Sequence, residues 1–195
     1  MLDENNHLFQ SQPIPRNPGH FLTIADVAEA IAEPGEDRAK LIAALRQFAT
    51  QGYLWAPFRE TESRGAYLYA PATTLVCAVL LRMIEMGIRD KNACHVAAKA
   101  LYQWNLKDFG GNAPRFSPGA LVIKHYAEGL ANWTLEIWTL RHDSGKVVHD
   151  ARLFNPNAGQ GPSLNYDLSK FSQRAVLAVD LGDVLDRMHS RGQVN

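Results

Sequence analysis

Apolar positions in the first half of the chain recur with a helical period. Ile24, Val27, Ala28 and Ile31 follow the i, i+3, i+4, i+7 rhythm and share one face, with Thr23 placed to cap the first turn and Asp26 to complete a capping box. Glu33-Pro34-Gly35-Glu36 interrupts the rhythm, since Pro34 lacks a donor and Gly35 tolerates positive φ. A second helix is predicted from about Asp37 to Gln51, with Leu41, Leu45 and Phe48 inward and Gly52 as its stop. Tyr53-Leu54-Trp55 and Gly65 to Tyr69 then read as two short strands of a hairpin. A third helix opens at Ala70-Pro71, apolar at Leu75, Val76, Val79, Leu80, Met83 and Ile84, and ends at Gly87. A fourth runs from about Lys91 to Tyr102, capped by Asp90, with Val96, Ala97, Ala100 and Leu101 as its inner face.

The period changes in the second half. Residues 103–116 are rich in turn formers and read as a linker. Ser117-Pro118-Gly119 suits a helix start, with Leu121, Val122, Tyr126, Ala127 and Leu130 toward a core, although Leu121-Val122-Ile123 also suits a strand. Trp133 to Leu140 and Lys146 to Phe154 carry the clearest β signal, joined by the turn Asp143-Ser144-Gly145. Ala175 to Val179 reads as a further strand, followed by a short helix from about Asp183 to Met188. The expected class is therefore α+β. Residues 1–20 form an irregular arm containing Pro13, Pro15 and Pro18; residues 21–102 form a helical domain with a hairpin, and residues 117–195 a small α+β domain.

Composition narrows this picture little. At 195 residues, 46% hydrophobic and 21% charged, the chain is long enough for a proper core and ordinary for a globular protein. No stretch approaches the roughly 20 apolar residues of a membrane span. The polar start Met1-Leu2-Asp3-Glu4-Asn5-Asn6 differs from a secretory signal, and Cys77 and Cys94 give no disulfide framework, so a cytoplasmic setting is expected.

Charge changes the picture more. The net charge is zero, but its distribution is uneven. Residues 1–37 hold Arg16 against Asp3, Glu4, Asp26, Glu29, Glu33, Glu36 and Asp37, whereas residues 38–64 hold Arg38, Lys40, Arg46, Arg59 and Arg64 against Glu60 and Glu62. Phosphate affinity follows the local field, so a neutral total does not exclude nucleic acid.

A family resemblance appears at these residues. Gln51-Gly52-Tyr53-Leu54, then Pro57, Arg59, Arg64-Gly65, Tyr67 and Tyr69, resembles the winged helix-turn-helix of MerR-like transcriptional regulators. The continuation through Leu75, Leu80, Leu81, Ile84 and Met86-Gly87-Ile88 resembles that family's third helix and glycine turn, so the likeness covers residues 21–102. It implies a double-stranded DNA-binding regulator, with the second helix in the major groove and the hairpin as a wing on the backbone. Lys40 and Gln47 are then expected at base edges, and Arg38, Arg46, Arg59 and Arg64 at phosphates, with Tyr67 of the family motif completing the set. Competing readings are a phage-type excision or packaging factor and a winged-helix module that docks a protein.

The second half is expected to bind an effector, contact a protein or build a homodimer. The hairpin from Trp133 to Phe154 is the candidate dimer surface, because Trp133 and Trp138 lie on opposite faces of one strand. No cofactor, metal site or catalytic activity is expected. Cys94 and His95 are adjacent and diverge on a helix, no CxxC or HxxxH spacing occurs, and GxSxG and phosphate-loop motifs are missing. His125, His142, His149, Asp143, Asp150, Asp180 and Asp183 are dispersed, and His149 and Asp150 point to opposite faces of a strand.

Overall fold

A computed structural model describes residues 21–59, 65–104, 116–130, 132–157, 164 and 168–189. The arm 1–20, the hairpin tip 60–64 with Arg64, and most of the expected linker lie outside these residues. The protein mixes helices with two antiparallel sheets, so the α+β class holds.

Helix α1 (Ile24–Ile31) begins with the complete capping box: the Thr23 hydroxyl accepts from the Asp26 amide, and the Asp26 carboxylate accepts from the Thr23 amide at 2.8 Å. Gly35, at φ 81°, turns the chain into α2 (Arg38–Thr50), where Asp37 caps the amides of Ala39 and Lys40. Helix α2 ends in a Schellman motif. Gly52 takes φ 75°, its amide reaches Ala49 O, the Tyr53 amide reaches Phe48 O at 3.0 Å, and the Phe48 and Tyr53 rings pack 6.2 Å apart.

That motif explains why the hairpin starts later than the sequence suggests. Tyr53, Leu54 and Trp55 do not form a strand, and all three are buried. A strand would have turned alternate residues outward, whereas here Tyr53 closes α2 and Trp55 packs edge-on to Tyr102. The two-residue strands are β1 (Phe58–Arg59) and β2 (Tyr67–Leu68), paired Phe58 to Leu68 and Arg59 to Tyr67. Leu22 adds a bridge through reciprocal bonds of 2.9 and 2.8 Å with Tyr69, which fastens the entry of α1 to the hairpin.

Helix α3 (Ala72–Glu85) is the centre of the molecule. Its buried residues, from Ala72 through Leu75, Val76, Cys77, Val79 and Leu80 to Met83, encircle much of the helix, as expected of one covered on most sides. It packs against α1, α4 (Lys91–Tyr102), α5 (Pro118–Ala127) and α6 (Leu181–His189). The polar Thr73 hydroxyl inside this core bonds the Tyr102 hydroxyl at 2.9 Å, and burial drives the Tyr102 phenol far above its ordinary pKa. Helix α4 faces α3, α5 and the sheet together, so its buried set is Ala93, Cys94, Ala97, Ala98, Leu101 and Tyr102. Val96 and Ala100, expected inside, are only half-buried. In α5 the cap is Ser117 with Pro118 in the first turn, but Leu130 follows the terminal Gly129 into solvent at 55% exposure.

The larger sheet has the order β4-β3-β5, built from β3 (Thr134–His142), β4 (Val147–Phe154) and β5 (Phe171–Asp180). Its inner face, with Leu135, Ile137, Ala151, Leu153 and Val179, lies toward α4. Strand β5 is longer than the apolar run Ala175–Val179, because Phe171, Ser172 and Gln173 pair with the end of β3 beyond an irregularity that leaves Arg174 without a partner in the register, and the polar Ser172, Gln173 and Arg174 carry no apolar signal. One hydrophobic cluster joins Val27 and Leu45 to Leu153 and Leu185, so both halves of the chain contribute to the same core. Among the described residues no helix is long and apolar enough to cross a membrane.

Candidate nucleic-acid interface

Helix α2 turns Leu41, Leu45 and Phe48 to the core and leaves Arg38, Ala39, Lys40, Ala43, Arg46, Gln47 and Thr50 exposed. Positions 39, 43, 46, 47 and 50 form one stripe down the outer face. Ala39 and Ala43 are small enough to let the helix backbone approach a groove closely. Lys40 and Gln47 are seven positions apart, two turns along the helix and a rise of about 10 Å.

The basic groups are not equivalent. Arg38 is held by Glu29 of α1 through a fork, Nη2 donating to Oε1 at 2.8 Å and Nη1 lying 2.5 Å from Oε2. Both side chains are about 60% exposed, and exposed pairs of this kind contribute only about 0–1 kcal/mol, so a phosphate can displace Glu29 at small cost. Lys40 lies 3.5 Å from Asp37 and is 86% exposed. Arg46 and Gln47 make no side-chain hydrogen bond or ion pair among the described residues. Asp37 already takes the Ala39 and Lys40 amides of the first turn.

On the hairpin, Arg59 donates a hydrogen bond to the Tyr67 hydroxyl, and its guanidinium carbon sits 4.1 Å from the Tyr67 ring centre. The cross-strand pairing places the two side by side. Phe21 packs on Phe58 at 4.9 Å, supporting the strand that carries Arg59. The structure thus brings Arg59 and Tyr67 together and places Arg46 and Gln47 on the outer stripe of α2, with Lys40 exposed at the helix start on the Gln47 side. No hydrogen bond, ion pair or ring contact joins these two groups among the described residues. Arg64 lies outside the described residues.

Other chemistry in the chain has structural partners. His125 Nδ1 accepts from Trp133 Nε1 at 3.2 Å, His142 bonds Ser144 across the β3–β4 turn at 2.8 Å, and His189 meets Leu185 O at 2.9 Å. The sequence reading missed one cluster: His149 on β4 stands 3.2 Å from the Thr139 hydroxyl and 3.4 Å from the Asp90 carboxylate. Because Asp90 also caps α4, this contact ties the sheet to the start of the helix beneath it. Cys77 is fully enclosed and burial drives its thiol far up in pKa; Cys94 is raised in the same way. Among the described residues no three metal-ligating side chains gather. A cleft of about 360 Å³ opens between the α1–α2 turn, α3 and α6, with Ile31, Leu81 and Val184 in its wall and Glu36, Arg82 and Asp183 among its polar groups.

The class defined by this architecture is α+β, with two helices and a two-stranded hairpin leading into a shared core. No protein-family model matches the sequence, and no curated protein matches it either.

Proposed function

We propose that the protein is a sequence-specific double-stranded DNA-binding regulator of winged helix-turn-helix type, similar to MerR-like regulators in residues 21–102. Helix α2 enters a major groove, and the β1–β2 hairpin grips the neighbouring backbone. The observation that carries this reading is the order α1, tight turn, α2, hairpin, with the outer stripe of α2 left solvent-facing and basic-polar. Arg46 and Arg59 meet phosphates, Arg38 exchanges Glu29 for phosphate, and Lys40 and Gln47 face base edges. Tyr67 holds the Arg59 guanidinium over its ring and at its hydroxyl. Titration of the full chain against labelled duplex pools at two salt concentrations tests this. Binding that weakens steeply with salt and enriches one motif is expected, and salt-independent or undetectable binding overturns it.

A second reading is favoured by the acidic residues Glu29, Glu33, Glu36 and Asp37 around the start of α2. They suit docking of a basic protein segment on the same unit, and in that case the duplex pools yield no enrichment.

A further inference from the structure

We propose that the protein forms a two-fold dimer by pairing strand β5 with the β5 of a second copy, joining two three-stranded sheets into one. The inference is independent of whether α2 reads DNA. Strand β5 is ten residues long and stands at the end of the order β4-β3-β5, so among the described residues only one side of its backbone is paired. Residues 172–176, Ala178 and Asp180 are exposed, with Val176 at 38%. Proteins usually guard such an edge with proline, charged side chains (lysine above all), a bulge, a short strand or a covering segment. Phe171–Asp180 contains no proline and no lysine, and the one irregularity in its pairing falls at Arg174, skipped between Thr139–Ala175 and Leu140–Gln173, so that Ala175–Asp180 is regular and Arg174 stands at the end of the regular run.

Geometry restricts how two copies of this edge can meet. Successive residues of a strand direct their N–H and C=O groups to opposite sides, so an antiparallel two-fold must centre on a residue and not between two. Centring on Leu177 sets Val176 opposite Ala178 and Ala175 opposite Val179, and brings Arg174, at the end of the regular run, to Asp180 of the other copy, each pair occurring twice. The last pair supplies complementary charge. Arg174 is exposed and makes no hydrogen bond or ion pair among the described residues. Asp180 uses Oδ1 to cap α6 through the amides of Gly182 and Asp183, at 2.8 and 3.3 Å, which leaves Oδ2 for a partner guanidinium. Centring on Val176 would set Arg174 against Ala178, and centring on Ala178 would carry Arg174 past the strand end. Only the Leu177 register matches charge with charge. Such pairing uses the open edge of both copies, so it closes at two and does not propagate.

The hairpin surface expected from the sequence is less suited. Strand β3 is paired on both sides, α4 covers the inner face of β4, and the Trp138 ring has Arg152 stacked at 5.2 Å.

The test uses the full chain. Sedimentation should show a dimer at about 50 µM, and Arg174→Glu, which sets like charges opposite Asp180, should raise the dimer dissociation constant at least about tenfold at low salt. Register is tested by cross-linking. Val176→Cys and Ala178→Cys are opposed across the two-fold at a Cα separation of about 4.5–5.5 Å, within disulfide range. Mild oxidation should therefore join the two variants only when they are mixed, while the buried Cys77 and Cys94 stay unreacted. A monomer at that concentration overturns the proposal and leaves the edge for a strand from another protein. A dimer that is indifferent to Arg174→Glu and yields no mixed cross-link also overturns it, and Val176→Cys joining to itself overturns the register. Circular dichroism of each variant establishes that the fold is retained.

Discussion

Arg38 and Arg59 carry the same charge in different settings, and the difference decides what each can contribute. Arg38 is already matched by Glu29, so contact with a phosphate exchanges one partner for another. Arg59 lies on the Tyr67 ring with its charge uncompensated by any carboxylate among the described residues. Arg59→Ala should therefore weaken duplex binding alike for all sequences and reduce the slope of log affinity against log salt by roughly 0.9, whereas Arg38→Ala changes it less. Titrations of both variants at several salt concentrations check this. A residue effect of another kind belongs to Asp26. Its hydrogen bonds from the Thr23 hydroxyl and amide hold the carboxyl below its ordinary value of 3.8, so the folded state binds the proton less readily than the unfolded one. That stability is present above the unfolded pKa and is lost as pH falls through the lower folded value. Acid unfolding followed by circular dichroism should show a shallower pH dependence for Asp26→Asn below about pH 4 than for the native chain. The capping box was legible in the sequence because its partners are three residues apart. The Arg38–Glu29 fork and the His149–Asp90 contact were not, since they depend on how separate elements meet.

At the scale of elements, three helices end in the same way, with glycines 52, 87 and 129 at φ between 75° and 84° and the next amide reaching back to close the last turn. Gly52 and Gly87 were readable as stops because glycine enters the left-handed region without a steric cost, whereas Gly129 was not, since Leu130 beyond it suits the apolar face. Gly52→Ala should lower stability by about 1–2 kcal/mol, measured by urea unfolding, and should loosen the entry to the hairpin. An unchanged midpoint would mean that the Schellman closure contributes nothing. Gly119 is a glycine for a different reason: a Cβ there would lie 3.0 Å from the Leu101 carbonyl oxygen, so the start of α5 rests directly on the end of α4. Nothing in local sequence announces that contact. The same limit explains Tyr53-Leu54-Trp55, whose aromatic and aliphatic character suits a strand and a buried turn equally well. Long-range packing on Phe48 and Tyr102 decided between them.

Across the whole molecule, the C-terminal segment returns to the N-terminal helices. Helix α6 packs on α3, the Arg82 guanidinium reaches toward Asp183 at 3.9 Å, and the sheet rests on α4. The change of hydrophobic period near residue 117 revealed the change of architecture but not the shared core, because periodicity reports which face is buried and not what covers it. Leu153 is fully buried in β4, so Leu153→Ala should cost about 2–5 kcal/mol. Since the core is continuous, the loss should appear as one cooperative transition shifted for both halves, followed by Trp fluorescence and far-ultraviolet circular dichroism together. Separate transitions would show that α1 and α2 fold independently of the sheet.

The central claim is that the outer stripe of α2 reads sequence while the hairpin grips the backbone. Selection of bound fragments from randomised duplex, performed with the native chain and with Lys40→Ala and Gln47→Ala, tests it most directly. One enriched motif is expected for the native chain, and relaxed preference at particular base pairs for each variant, by about 1–3 kcal/mol. No enriched motif for the native chain, or a uniform loss of affinity with unaltered preference in both variants, would contradict it.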